Sequence, residues 1–250
     1  MTQSGRRQTY NLDMTETEKI PWKRLAVEAT AIVASILLAF AIDAWWEESL
    51  EYKRSLSQLK TIETEFVDIG IELKNLEARL LGLREAVSSL LPHISPDSQL
   101  QTPDFLYSLI DLSFRASQME LPTGSLDALL ASGELAALPN VKLKALLAAL
   151  PAETARLRRQ SGLLEGNREA IIDYLYDKVP TIEMAHKTGQ MSHYPRSNFV
   201  IDPAVIQRDM KIEGLFGNRG MQIEDTLVIV LRLQTHIDDS LKLIGMELEH

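Results

Sequence analysis

No cysteine occurs in the 250 residues. That absence removes disulfides, thiolate metal sites and cysteine nucleophiles, and it is compatible with any redox compartment. The short motifs of phosphate, dinucleotide and hydrolytic chemistry are missing too. There is no G-x-x-x-x-G-K-[ST], no G-x-G-x-x-G, no H-E-x-x-H and no G-x-S-x-G. The stretch from Gly214 to Gly220 holds several glycines but joins no strand to a helix, so a phosphate cradle is not expected. The histidines, His93, His186, His193, His236 and His250, are scattered. His186 and His193 stand in a loop-prone stretch without metal-ligand spacing. His236 reads, with Asp238 and Asp239, as part of an exposed helix face. No catalytic, cofactor-binding or metal residue is nominated, and no enzyme activity is expected.

Positive charge is also in short supply, with 26 Lys and Arg against 35 Asp and Glu, a net charge of −9. Residues 1–46 hold five of each sign, so the whole imbalance lies in residues 47–250, with 21 basic and 30 acidic side chains. An acidic domain is poorly suited to nucleic acid or anionic lipid, and no nucleic-acid partner is expected.

One long apolar run stands out. From Leu25 to Ile42 the only charge is Glu28. At about 1.5 Å per residue the run covers roughly 27 Å, close to the ~30 Å of a hydrocarbon core. Trp22 on one side and Trp45 and Trp46 on the other occupy aromatic-belt positions. Residues 22–46 are read as a single transmembrane helix, with the lipid bilayer as its partner. Arg6, Arg7, Lys19, Lys23 and Arg24 precede it, whereas Asp43, Glu47, Glu48 and Glu51 follow. That bias places a short polar tail, residues 1–21, in the cytoplasm and residues 47–250 outside it. Ala39-Phe40-Ala41 resembles a signal-peptidase site. Against cleavage stand the long acid-containing leader, the lack of Gly or Pro before the site and the helical pattern running on beyond it. Glu28 lies one turn after Arg24 and reads as an interfacial ion pair. Ala31, Ser35 and Ala39 form a small-residue stripe of the kind that packs spans together.

The rest reads as all-α. Leu59, Ile62, Phe66, Ile69, Leu73, Leu76, Leu80, Leu83, Val87 and Leu90 recur at spacings of three and four, so the span continues into a long amphipathic helix over residues 47–91. Val67, Ile71, Leu81 and Leu91 widen the stripe, which favours burial among several helices over a bare two-stranded coil. Pro92 ends the helix. Middle helices follow over 103–187. One starts at Pro103 behind a Thr102 cap and ends near Ser117. A short one over Leu126 to Ala131 is capped by Ser125 and closed by Ser132-Gly133. Leu135 and Leu138 serve as apolar staples, and Asn140 caps a helix over Val141 to Leu150, which Pro151 must kink or restart. The continuation carries Leu157, Leu163, Leu164, Ile171, Ile172, Leu175 and Val179, and Arg156, Arg158 and Arg159 make a solvated face. Residues 188–220 read as irregular, apart from a short helix after Asp202-Pro203 with Val205 and Ile206 inward. The last helix, 221–249, repeats the stripe with Ile223, Leu227, Val230, Gln234, Ile237, Leu241, Ile244 and Leu248, where Gln234 reads as a hydrogen-bonded register device. The simplest packing lays this helix antiparallel on the first long one in a bundle that also buries Val228 and Leu231.

The segment Ser35-Ile-Leu-Leu-Ala-Phe-Ala-Ile-Asp-Ala-Trp-Trp-Glu-Glu48 resembles the span of an uncharacterised family of bacterial single-pass membrane proteins. There Gly-Ile-Leu-Ile-Ala-Leu-Gln-Ile-Asn-Asn-Trp-Asn-Glu leads into a long charged helix. Glu28, Ile36, Leu37, Ala39, Ile42, Trp45 and Glu47 fall on that pattern, while Asp43, Ala44 and Trp46 replace its polar amides. Leu129 to Asn140, followed by Leu143, is similar to the family's Leu-x-x-Ser-Gly-x-Leu-x-x-Ile-x-Asn-x-x-Leu. The resemblance implies an uncleaved anchor and a helical domain in a bacterial membrane protein. It brings no activity.

Three functional classes stay open at this point. The first is a membrane-anchored interaction or scaffold protein of the cell envelope, docking an unidentified membrane or envelope protein or a second copy of itself. The second is a sensory or ligand-binding bundle that signals through a partner. The third is an enzyme of unrecognised type. Function has to be argued from a site, and the sequence shows none.

Overall fold

The structure is a computed structural model that describes residues 22–114, 121–180, 182–183, 186, 193–199 and 202–249. The expectations for residues 1–21, for the end of the helix near Ser117 and for parts of 188–220 lie outside the described residues. Among the described residues every regular element is helical. The helices are α1 (Trp22–Leu90), α2 (Pro103–Phe114), α3 (Gly124–Ser132), α4 (Val141–Tyr176), α5 (Ala204–Gln207) and α6 (Met210–Leu248), with 3-10 turns at Leu91–His93 and Glu134–Ala137. The chain divides into two compact units, one ending at Leu50 and one beginning at Glu51.

In the first unit, the N-terminal part of α1 is long and apolar enough to cross a membrane, and none of its apolar window is buried. Leu37, Leu38, Phe40, Trp45 and Trp46 are all exposed. Arg24 and Glu28 form the expected pair at 3.0 Å. Thr30 and Ser35 return their hydroxyls to the carbonyls of Ala26 and Ala31, which satisfies two polar groups inside an otherwise apolar helix.

The second unit has four legs, alternating in direction. All ten stripe residues of α1 from Leu59 to Leu90 are buried. α6 runs antiparallel to α1, as Glu77 meets Gln234 at 2.8 Å, Arg84 meets Glu224 at 3.9 Å and Tyr52 meets Glu247 at 3.4 Å. α4 is likewise antiparallel to α6 and packs most closely on it. Its cross-links descend in order: Leu146 O to His236 at 2.8 Å, Gln160 to Gln222 at 2.6 Å, Asn167 to Leu215 O at 3.2 Å and Tyr174 to Asp209 at 2.9 Å. The second leg is assembled from α2, α3 and the turn at Glu134–Ala137. It descends past α1, with Glu65 accepting from Ser125 N at 2.9 Å and Ser55 donating to Glu134 O at 3.0 Å. Gly133, in the left-handed region at φ 77°, is the break that glycine makes cheap.

Several expectations need correction. α6 begins at Met210, not at Met221, because Asp209 caps it by accepting from Lys211 N at 2.8 Å and Ile212 N at 3.3 Å. Gly214, Gly217 and Gly220 sit inside the helix and do not break it. Pro151 does not restart α4, which runs through it, so of the two expected effects, a kink or a restart, the restart is excluded. The N-terminus of α3 is satisfied by Glu65 of α1, not by the Ser125 side chain. In α6 the core takes Leu233, while Gln234 reaches sideways to Glu77 from the edge of the core. Leu163 is exposed, and after Pro203 the inward residues are Ile206 and Gln207, not Val205. Val67, Ile71, Leu81, Val228 and Leu231 remain 36 to 56% exposed. At about 100° per residue Val67, Ile71 and Leu81 fall on the half of α1 that faces away from its stripe, so a four-legged bundle leaves them in water.

Candidate functional site

The site with the most chemistry lies where α4 ends and α6 begins. α4 closes with Leu175 O accepting from both Lys178 N and Val179 N at 2.9 Å. Val179 is buried and anchors the turn, and Pro180 prevents the helix from continuing. Beyond it, the Glu183 carboxylate accepts from Ser197 N at 2.6 Å and from Arg196 Nη2 at 2.7 Å. These bonds, that from Ser197 N first, hold its pKa below the usual carboxylate range. Asp202 accepts from Ala204 N at 2.9 Å and starts α5, whose Ile206 is buried.

These turns enclose an open cleft of about 690 Å³. Val179, Pro180, Ile182 and Val205 supply apolar lining, and Tyr176 and Phe199 supply rings that are 61 and 83% exposed. Asp177, Lys178, Ser197 and Asp202 supply the polar groups. A cleft of this size with a few polar groups among apolar and aromatic ones suits recognition.

Behind the cleft Asp209 joins the two helices. Its Oδ2 accepts from Lys178 Nζ at 2.7 Å and from the Tyr174 hydroxyl at 2.9 Å, while its Oδ1 caps α6. Burial pushes this carboxyl up, but the bonds from Lys178, Tyr174, Lys211 N and Ile212 N outweigh burial and hold its pKa at about 2. The Lys178 and Lys211 ammonium groups lie 4.7 and 4.1 Å from the centroid of the Tyr174 ring, a doubled cation–π contact.

A second polar cluster lies inside the bundle. Arg219, 1% exposed, occupies a stripe position of α6 between Phe216 and Ile223. Its Nε donates to Ser113 O of α2 and its Nη1 to Leu164 O of α4 at 3.3 Å. It forms no ion pair among the described residues. Burial first, with the nearby charge of Arg168 adding and Glu165 opposing, pushes its pKa down to about 10. Asn167 Oδ1, buried on the neighbouring turn of α4, has no hydrogen-bond partner.

The histidines do not converge. His93 stacks edge-on against Phe105 at 5.0 Å. His236 is half-buried and bonded to Leu146 O rather than exposed, in contrast to Asp238 and Asp239. His186 Nε2 is buried without a partner, His193 is exposed, and His250 lies outside the described residues. Among the described residues no group of three or more potential ligands is placed to hold a metal ion. Sequence reading missed both clusters. The signal for Arg219 was there in the spacing Ile212, Phe216, Arg219, Ile223, hidden by the neighbouring glycines. The signal for Asp209 was a cap residue ahead of an apolar periodic run. Compared with known proteins, the chain matches no family model, no curated protein and no solved structure.

Proposed function

We propose that this protein is a membrane-anchored helical interaction module of the bacterial cell envelope. Residues 22–46 hold it in the cytoplasmic membrane, the N-terminus lies in the cytoplasm and the bundle lies outside, where it docks another protein. The observation that carries the reading is the cleft at the junction of α4 and α6, which leaves Tyr176 and Phe199 exposed although the core beneath is closed by Val179 and Ile206. Exposed rings beside an apolar lining are the composition of interface anchors. The apolar helix and its basic N-terminal flank support the anchor and its direction, as does the resemblance in the span.

A photo-crosslinking side chain placed at Phe199 or Tyr176 in living cells is expected to give discrete adducts, and one at Lys142 or Arg158 on the flank of α4 none. Adducts at all four positions alike, or at none, would refute docking through the cleft. A phosphatase fused to the C-terminus is expected to be active; activity from a cytoplasmic reporter at that place instead would reverse the topology. The cleft volume also lies within the range of small-molecule sites, which favours a sensory bundle as the second reading. Adducts to a protein rather than protection by a small metabolite separate the two.

A further inference from the structure

The charge of the cleft narrows what can enter it. Three charged side chains among the described residues line it: Asp177, Lys178 and Asp202. Lys178 is already committed, with its ammonium 2.7 Å from Asp209 Oδ2 and stacked on Tyr174. Its charge is neutralised before any ligand arrives. Asp177 is exposed and forms no ion pair among the described residues. Asp202 accepts from Ala204 N with one oxygen and forms no ion pair among the described residues. Among the described residues the lining therefore presents two carboxylates without an ion-pair partner beside two exposed aromatic rings, within a region whose overall balance is also acidic. Phosphates, carboxylates and acidic peptides are repelled by that arrangement. A cation is attracted twice, by the carboxylates and by the ring faces. The same pairing of ammonium and ring already operates nearby, where Lys178 and Lys211 lie against Tyr174. The remaining lining, Val179, Pro180, Ile182 and Val205, matches aliphatic side chains or the stem of an arginine or lysine.

We propose that the cleft docks a segment of a partner protein carrying an arginine or lysine next to an aliphatic residue, with the cation between Asp177, Asp202 and the rings of Tyr176 and Phe199. This rests on the docking reading above and names the chemistry of its partner. The test uses the full chain in neutral detergent micelles and a fluorescent peptide of alternating arginine and leucine, followed by anisotropy. Citrulline in place of arginine keeps the shape and removes the charge. The arginine peptide is expected to bind about ten-fold more tightly than the citrulline peptide. Asp177→Asn combined with Asp202→Asn is expected to erase that difference. Phe199→Ala is expected to weaken binding several-fold, while Arg158→Gln on the flank of α4 leaves it unchanged. All four positions are exposed, and circular dichroism verifies that each variant is folded.

Equal binding of the arginine and citrulline peptides, tighter binding of a glutamate peptide, or no response to the double Asp change would overturn the proposal. So would stronger competition by phosphocholine than by arginine amide, which would make the occupant a lipid headgroup. If crosslinks at Phe199 persist while the arginine peptide fails to bind, the partner chemistry is wrong and docking stands. If both fail, docking falls as well.

Discussion

Neutralising Asp209 tests how the α4–α6 junction is held. The carboxyl sits at about 2 against an ordinary 3.8, and at 1.36 kcal/mol per pH unit that gap corresponds to about 2.5 kcal/mol. The side chain is 15% exposed, so screening trims the figure to about 2 kcal/mol. Asparagine caps helices nearly as well as aspartate, so Asp209→Asn removes the charge and keeps the cap. Because the folded pKa is depressed, the contribution is complete above the unfolded value of 3.8 and is lost as pH falls towards 2. Urea unfolding of the full chain in detergent, followed by far-ultraviolet circular dichroism, is expected to show Asp209→Asn less stable by about 2 kcal/mol at pH 7 and by under about 0.5 kcal/mol at pH 2. Lys178→Met should cost about 1 kcal/mol, with clear coupling to Asp209→Asn in a double-mutant cycle. An equal cost at both pH values would show that cap geometry rather than charge matters, and no coupling would show that the ion pair is idle.

Three further outcomes follow from burial. Leu76→Asp places a charge at a fully buried stripe position and is expected to unfold the bundle, a loss above about 4 kcal/mol, whereas Leu81→Asp on the exposed half of α1 should stay within about 0.5 kcal/mol. Gln207 is fully buried and binds His93 O, Gln99 O and Gln101 N at 2.7 to 3.1 Å, so Gln207→Ala should cost about 2–4 kcal/mol and speed hydrogen exchange over residues 94–102. Arg219→Met trades a desolvated cation for apolar volume and should fall within about 1 kcal/mol of the parent, whereas Arg219→Ala leaves a cavity and should cost about 3 kcal/mol, both read by melting in detergent.

Apolar periodicity gave away α1 and most of α6, because Leu59 to Leu90 repeats without a polar interruption. It failed at residues 210–220, where three glycines and a buried arginine disguise a helix that Asp209 starts. It also over-filled the core, since spacing reports which side of a helix a residue occupies but not how many neighbours cover that side. Val67 and Val228 are apolar and exposed for that reason. The cleft was illegible because its residues come from the end of α4, the four-residue α5 and turns, which are too short to show a period. Hydrogen bonds gathered by Glu183 and Asp209, with the buried Val179 and Ile206, bring them together.

The order of the legs has a consequence for synthesis. The apolar stripe of α1 is covered on one side by α6, which is complete only about 160 residues after Leu90. At about 5–20 residues per second the ribosome needs roughly 8–30 s to deliver it. During that interval the side of Leu59 to Leu90 that α6 covers lacks its permanent partner, while the α4–α6 hairpin can zip up as soon as it exists. Late closure of α1 makes the nascent chain a natural client for holding chaperones, and it makes premature termination within α6 more harmful than its modest length would imply.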